Sequence, residues 1–479
     1  MDKERPGNET GFAKTFREKV LNPDTRPEWI NLLYMVITCG VFLHHIHVTV
    51  YYNVIRDGTD ILEIPWLILS AISIILGRMW KDKGFWLLLG LIAIKTIRQA
   101  ASGAFPEAAR GIELNLYAFF ICYATGRVLN SRDRKRLLQW ICALWTLAMA
   151  VFSLFGLYAV WTGTEIPNLG NSPVYVRDNR LVIVYHFVET GILEGASIGV
   201  ALAGLMLTKN RIGKGLYFLA IPVMLLAEGM TATRTAFVIV GVEIAALVCV
   251  LLDRRMAKRE RIQKRSVSDL LLLAGTFAVC MVTVTWLQTL IIDGFNAVRH
   301  YGLLVGNALA ENAGSTGVIH RGFDFSSADG LLTGRVAIWQ EAFMVIKENP
   351  RILLSGMPTE EFMARINEIR KAAGLFHVYG THSVFIQTLM EYGLGALAIY
   401  ACFQIRFVLH AFRLLKNREQ ETWKRIIALP AIGCLLCEFV DQTTYGGLPQ
   451  TTIMYLFIGL TIAISQSSRK GNNPNEQNC

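Results

Sequence analysis

The chain has 479 residues, of which 53% are hydrophobic and only 18% charged, and its net charge is +10. A soluble domain carries about 25% charged residues, so there is too little charge here to coat a set of water-soluble domains, and the composition equally excludes disordered, collagen-like and disulfide-rich classes. The basic excess fits either a polyanion-binding surface or membrane topology, and the placement of the basic residues decides between them.

Residues 1–28 are long and charged and lack a small-residue cleavage site before an apolar core, so they read as a tail and not as a cleavable signal. Twelve apolar runs follow: 29–50, 61–77, 84–97, 112–128, 137–161, 187–207, 215–230, 235–252, 269–292, 383–409, 426–440 and 451–465. A helix needs about 20 apolar residues to cross the bilayer core. These runs are apolar around the whole helix and so differ from amphipathic surface helices; the third and eleventh are short, as tilted or broken spans are. The fold class expected is all-α, a polytopic membrane protein of about 12 spans.

Of the 47 Lys and Arg, 31 fall in 1–28, 78–83, 127–136, 209–214, 253–266, 410–425 and 466–479, which all lie on one side of such a bundle. The short loops of the other side hold only Arg56, Arg98, Arg110, Arg177, Arg180 and Arg234. This asymmetry is that of a cytoplasmic face, with both ends of the chain inside, and no aromatic-interleaved platform supports nucleic-acid binding. The chain then divides into a cytoplasmic tail (1–28), transmembrane helices one to nine (29–292), a large extracytoplasmic loop (293–382), helices ten to twelve (383–465) and a second tail (466–479). Eight of the nine cysteines lie in or beside spans; Cys434 and Cys437 form a C-x-x-C inside an apolar helix and read as packing residues.

The long outer loop carries structure of its own, as loops of this length usually do when they serve a function. From Gly334-Arg335, Ile338, Trp339, Ala342, Phe343 and Ile346 share a helical face until Asn349-Pro350 stops it. After Pro358, Phe362, Ile366 and Ile369 repeat at helical spacing until Gly374. Two such helices would form a lid over the outer mouth, or an inert cap. The loop ends in His377-Val-Tyr-Gly-Thr-His382-Ser383, which sets a general base for neutral pH, or a structural hydrogen-bonder, at the membrane surface. Arg335 opens the first lid helix, where a helix dipole disfavours a cation, unless arginine and helix terminus together hold an anion. Arg234 lies in Met230-Thr-Ala-Thr-Arg-Thr-Ala236 between two spans, with Glu228 close enough in sequence to pair with it; boundary charges are costly, and the alternative to a function is snorkelling. Arginine binds phosphate bidentately and keeps its charge when desolvated. A glycosyl transfer on the outer side, away from nucleotides, would use a donor already activated on a lipid diphosphate. Arginines would stabilise the leaving diphosphate and a histidine would deprotonate the acceptor hydroxyl. No outer Asp-x-Asp pair asks for a divalent metal.

At these residues the sequence resembles the O-antigen ligase and polymerase family of polytopic membrane glycosyltransferases. The resemblance rests on Met230–Ala236, on Thr333-Gly-Arg-Val-Ala-Ile-Trp339 with Asn349-Pro350 and Gly356, and on Thr381-His-Ser-Val-Phe-Ile-Gln-Thr-Leu-Met-Glu-Tyr-Gly-Leu-Gly-Ala396. His382, Ser383 and Gly393 fit the last pattern, Ala396 replaces its second glycine, and Trp339 stands where the family has leucine. The resemblance implies an all-helical fold of the polyprenyl-donor (GT-C) kind with an extracytoplasmic lid. It implies metal-independent, cofactor-free transfer of glycan from undecaprenyl diphosphate to a glycan or lipid-glycan acceptor in the cell membrane. By the same resemblance His382 is the base and Arg234 and Arg335 contact the diphosphate, with Arg177, Arg180 and Glu228 as further substrate-binding candidates; for Arg177 and Arg180 the alternative is surface solvation. Twelve spans also suit a transporter or lipid-linked glycan flippase, kept open by Lys95, Glu189 and Glu194. That reading should bring two similar halves, and no internal repeat is visible. His44, His45 and His47 near the end of span one could suggest metal or interfacial packing.

Overall fold

The computed structural model describes residues 17–51, 59–101, 117–162, 165–166, 174–177, 180–183, 187–260, 267–306, 334–440 and 449–471. Helices occupy each of the twelve apolar runs as far as these residues reach. They are α1 (Glu28–Tyr51), α2 (Thr59–Leu76), α3 (Lys83–Ala101), a π turn (Tyr117–Tyr123) leading into α4 (Thr125–Val128), α5 (Ser131–Thr162), α6 (Phe187–Leu207), α7 (Arg211–Met230), α8 (Arg234–Glu260) and α9 (Val267–Gly306). Then come α10 (Arg335–Glu348), α11 (Ile352–Ser355), α12 (Thr359–Ala372), α13 (Val384–Lys416), α14 (Thr422–Ile426), α15 (Leu429–Val440) and α16 (Pro449–Gly471). Among them α5, α6, α7, α8, α9 and α13, six helices in all, are long and apolar enough to cross a membrane, and α1 and α16 contain shorter apolar stretches.

The surface of these helices is that of a protein in lipid. Leu147, Leu154 and Tyr158 on α5, Leu216, Phe218 and Leu219 on α7, and Leu271, Val279, Val282 and Trp286 on α9 are all more than half exposed. Apolar faces this continuous do not face water in a monomeric protein. Hydrophobicity cannot hold helices together in hydrocarbon, so packing and internal hydrogen bonds must. α6 is buried on nearly every side, against α5, α7, α8 and α15. Trp145 of α5 donates to Ser197 Oγ of α6 at 2.8 Å, and Ser153 Oγ donates to Glu194 Oε1 at 2.8 Å.

The basic end of the bundle is tied by buried ion pairs. Asp82 accepts from Arg406 of α13 at 2.7 Å and from Arg127 of α4 at 3.0 Å. Asp253 near the end of α8 holds Arg418 at 2.8 Å and Arg425 at 2.5 Å, and Arg418 also reaches Asp269 of α9 at 3.3 Å. These pairs fasten the C-terminal ends of α8 and α13 to one another. Their N-termini, headed by Arg234 and by His382-Ser383, therefore emerge at the opposite end.

At that end α10, α11 and α12 form the lid. It has its own core, Ala342, Val345, Ile346, Ile352, Phe362 and Ile366, seated on Leu389 and Met390 of α13. Asn349 and Gly374 end the two lid helices as their sequence implies. Phe343 departs from expectation and is exposed; Val345 and the Glu341 stem take its place in the core. Two further differences concern boundaries and class. Helix α9 runs past the apolar run to Gly306, because residues 293–306 contain no proline and stay compatible with a helix. A short antiparallel hairpin, β1 (Tyr175–Arg177) and β2 (Arg180–Val182), interrupts the otherwise helical architecture between α5 and α6. Three-residue strands are too short to show a period, so the sequence pattern carries no strand signal there.

Candidate active site

Three helices at the lid end begin at the residues singled out above. Arg234 is the first residue of α8, Arg335 the first of α10, and His382-Ser383 directly precede α13. Each helix start presents backbone N–H groups and the positive end of a dipole, so each is a place for an anion. Gly334 at the start of α10 supplies no side-chain cap, whereas Ser383 Oγ caps α13 by accepting from Ile386 N.

His382 is held in an unusual backbone state. Its φ is 52°, a left-handed conformation rare for a residue with a Cβ. Such positions persist only where the surroundings over-determine them, and they gather at functional sites. The surroundings are a buried polar chain along one stripe of α13. Thr381 Oγ1 donates to Gln387 Oε1 at 3.0 Å, Gln387 Nε2 donates to Glu391 Oε1, and Thr359 Oγ1 of the lid donates to the same oxygen at 2.6 Å. Trp339 Nε1 donates to the Thr381 carbonyl at 2.9 Å. Trp339 lies one helical turn after Arg335, so that bond brings the start of the lid helix to the residue before His382. The lid helix that Arg335 opens is thereby tied to the segment that carries His382.

Two glycines allow the lid to approach. Gly393 (φ 80°, ψ −178°) breaks α13 and Gly356 (φ 68°, ψ −176°) ends α11. Both occupy a region open essentially to glycine alone. A Cβ on Gly356 would lie 2.0 Å from the Glu391 carbonyl oxygen, and one on Gly393 would lie 2.8 Å from that of Leu354. The backbones thus touch across the kink, and Met357 N donates to the Met390 carbonyl at 2.7 Å. Arg98, at the end of α3, donates through Nη2 to the Gly356 carbonyl at 3.1 Å. The lid helices themselves are locked by the buried pair of Arg370 and Glu341, at 2.9 Å.

Arg234 stands on the other flank of α15. Ala232, two residues before it, has φ 50°, a second left-handed residue at this end. Thr231 and Thr233 pack against Gly191 near the start of α6. The neighbouring Thr190 Oγ1 accepts from Ile183 N at the end of the hairpin, at 3.0 Å. The hairpin that pairs Arg177 with Arg180 therefore meets the Arg234 turn across the start of α6. Arg180 is buried, not solvated; the side chain of Arg177 lies outside the described residues, as do those of His44, His45 and His47. Glu228 is fully buried and accepts from Gln288 Nε2 of α9 at 2.8 Å, so its closeness in sequence does not yield a pair with Arg234. α15 links the two flanks: it packs on α6 and α8, and its Phe439 meets Trp339 edge-on at 6.5 Å and Phe385 at 5.5 Å.

Of the residues missed in the sequence, Gln387 and Glu391 were signalled by their spacing, since Ser383, Gln387 and Glu391 recur every four positions. Arg98 was visible as an outer-side arginine, but its contact with Gly356 crosses 258 positions and has no local signal. Lys95, noted above only for a transporter reading, is half-buried over the Tyr392 ring, 5.4 Å from its centroid. Among the described residues no group of three His, Cys, Asp or Glu side chains is placed to hold a metal ion. Cys434 and Cys437 are buried free thiols.

These observations point to an integral membrane protein whose helical bundle carries a small lid at the end where α8 and α13 begin. Residues 219–401 match the family model described as O-antigen ligase, which assigns this segment to the O-antigen ligase family and implies glycosyltransferase-type activity on a lipid-linked glycan. The matched segment contains Arg234, Arg335 and His382 and leaves Arg177 and Arg180 outside. No curated protein matches the chain.

Proposed function

We propose that the chain is a glycosyltransferase of the cell envelope that moves glycan from undecaprenyl diphosphate onto a hydroxyl acceptor on the extracytoplasmic face, as a polysaccharide polymerase or ligase. The observation that carries this reading is the set of helix starts at the lid end, headed by Arg234, Arg335 and His382, because it combines anion binding with a base. The acceptor oxygen attacks the anomeric carbon while His382 takes its proton. The bond from that carbon to the diphosphate oxygen breaks, and the electron pair leaves with the diphosphate. Arg335 and Arg234, fixed in charge, and the helix N–H groups stabilise that developing charge. Arg177, Arg180 and Glu228 are further substrate-binding candidates in this reading. No step calls on a metal. The chain sits in the inner membrane with both ends and the basic segments cytoplasmic.

The test is to replace His382 and Arg335 by alanine in a strain that depends on this chain. Both variants should reach the membrane at normal levels and yield no elongated or attached polysaccharide. Normal polysaccharide in both sinks the proposal. Glycan profiles separate the two roles: single lipid-linked repeats accumulate if a polymerase is lost, long unattached chains if a ligase is lost.

A further inference from the structure

The left-handed turn at His382 is held from both sides by one residue. Gln387 of α13 is buried and accepts through Oε1 from Thr381 Oγ1 at 3.0 Å and from Thr381 N at 3.4 Å, while its backbone N donates to the Ser383 carbonyl at 2.8 Å. Thr381 and Ser383 are the two neighbours of His382 in the chain, and both are buried. The Thr381 hydroxyl also lies 3.1 Å from the Ser383 carbonyl, so it spans the histidine between them. At a φ of 52° the His382 backbone is outside the broad allowed regions, and a conformation of that kind lasts only while its flanks are fixed.

The Gln387 amide is in turn oriented by Glu391, one turn further along α13. An amide has one accepting oxygen and one donating NH₂ group, whereas a carboxylate only accepts. Glu391 Oε1 takes the hydrogen bond from Gln387 Nε2 and thereby turns Gln387 Oε1 toward the N–H and hydroxyl of Thr381. The reverse orientation would set NH₂ against N–H at one end and oxygen against oxygen at the other, and buried mismatches of that kind are costly. Glu391 is itself buried and is held from the lid, because Thr359 Oγ1 donates to the same oxygen at 2.6 Å. The order along this path is lid, carboxylate, amide, Thr381 and His382, each link being a hydrogen bond or a peptide bond.

We infer that Glu391 is a positioning residue for the transfer reaction, acting through Gln387 and Thr381 to hold the His382 imidazole where it can take the acceptor proton. The inference rests on the proposed role of His382 as the base. The full chain is reconstituted in nanodiscs, and kcat and KM are measured with donor and acceptor lipids extracted from cells that lack this chain. Glu391→Leu should lower kcat by about 10²-fold, the cost of misplacing a reacting group by about 1 Å, and leave KM for the donor unchanged. Glu391→Gln still offers Thr359 and Gln387 an accepting oxygen and should recover most of the rate. Removing the carboxylate also takes a neighbour from the charge of Lys95, so Gln387→Met guards against misfolding. That variant leaves Glu391 and its lid bond in place and should reproduce the loss in kcat. Adding Glu391→Leu to Gln387→Met, or to His382→Ala, should cost little more, because all three residues lie on one path. With His382→Ala impaired, three results overturn this inference alone: a wild-type kcat in Gln387→Met, a full further loss on adding Glu391→Leu to His382→Ala, or a rate in Glu391→Gln as low as in Glu391→Leu. A wild-type rate in His382→Ala overturns the base reading and this inference with it.

Discussion

The two ends of the bundle use the same residue type in opposite ways. At the basic end Arg406, Arg418 and Arg425 lie against buried aspartates, each bond internal to the protein. At the lid end Arg234 and Arg335 head helices, where the local field already favours an anion. An arginine satisfied by aspartate fastens helices together. One placed at a helix start adds to a positive field that attracts an anion. Histidines divide similarly: His410 at the basic end is buried with Nδ1 3.0 Å from Ser465 Oγ, whereas His382 sits in a strained turn before α13. Substitutions at the lid end should thus remove activity and spare the fold, and those at the basic end should do the reverse.

The largest expected effect is at the lid end. Loss of a general base costs about 10²–10⁴-fold in rate, so His382→Ala should lower transfer by that factor with an unchanged unfolding midpoint. Arg335→Ala should act in the same direction, through lost stabilisation of the leaving diphosphate. Initial rates with a lipid-linked donor check both, and a variant that loses midpoint in proportion to rate breaks the contrast. Next comes Asp253→Ala at the basic end. Its carboxyl is 1% exposed and serves Arg418 and Arg425. Removing one partner of a buried pair costs about 3–5 kcal/mol, so the variant should accumulate poorly, and the fraction that does fold should retain the wild-type rate per molecule.

The contrast can be sharpened at the kink. Gly393→Ala would place a Cβ 2.8 Å from the Leu354 carbonyl oxygen at a φ of +80°. A non-glycine residue held there costs on the order of 1–3 kcal/mol in backbone strain alone. The strain falls where α11 docks on α13, so protease sensitivity should rise in 334–375 and not in α6. Activity should fall with it, because the Trp339 bond to Thr381 depends on that docking. Cleavage spread evenly over the chain would show that the lid is not a separate unit.

How much of this was legible beforehand follows from the range of each interaction. Helix positions were readable because lipid-facing and core-facing residues are alike apolar, so a long run marks a span without any knowledge of its neighbours. The lid helices were readable from their 3.6-residue period and their stop residues, except that Phe343 lies at the edge of the apolar stripe and turned outward. Arg234, Arg335 and His382 stood out as polar exceptions. Their bearing on one another was not legible, because it rests on Trp339 reaching Thr381 and on the Gly356–Gly393 contact, both between distant positions. Glu228 shows the reverse error: closeness in sequence offered Arg234 as a partner, and tertiary packing supplied Gln288 from α9. The hairpin at 175–182 had no readable period at all.

The smallest effect concerns pH and belongs to the basic end alone. Burial pushes the Asp82 carboxyl upward, but Arg406 and Arg127, with the amide of Gly84, outweigh it, so its pKa in the folded protein lies below the ordinary value of 3.8. A carboxyl whose pKa is lowered on folding contributes stability that is fully present above its unfolded pKa and is lost as pH falls through the folded one. The contribution of Asp82 should therefore be constant at neutral pH and fade below about pH 4. Asp82→Asn cannot carry the charge at any pH and should be less stable at pH 7 by about 1.5–3 kcal/mol, the worth of hydrogen bonds to a charged group. The gap between the two proteins should then close on acidification, because only the wild type has something to lose. Midpoints measured in parallel from pH 7 to pH 3 test this. A gap that holds constant or widens toward acid would mean that Arg406 and Arg127 are retained by something other than the Asp82 charge, and the division of labour between the two ends would lose its electrostatic basis.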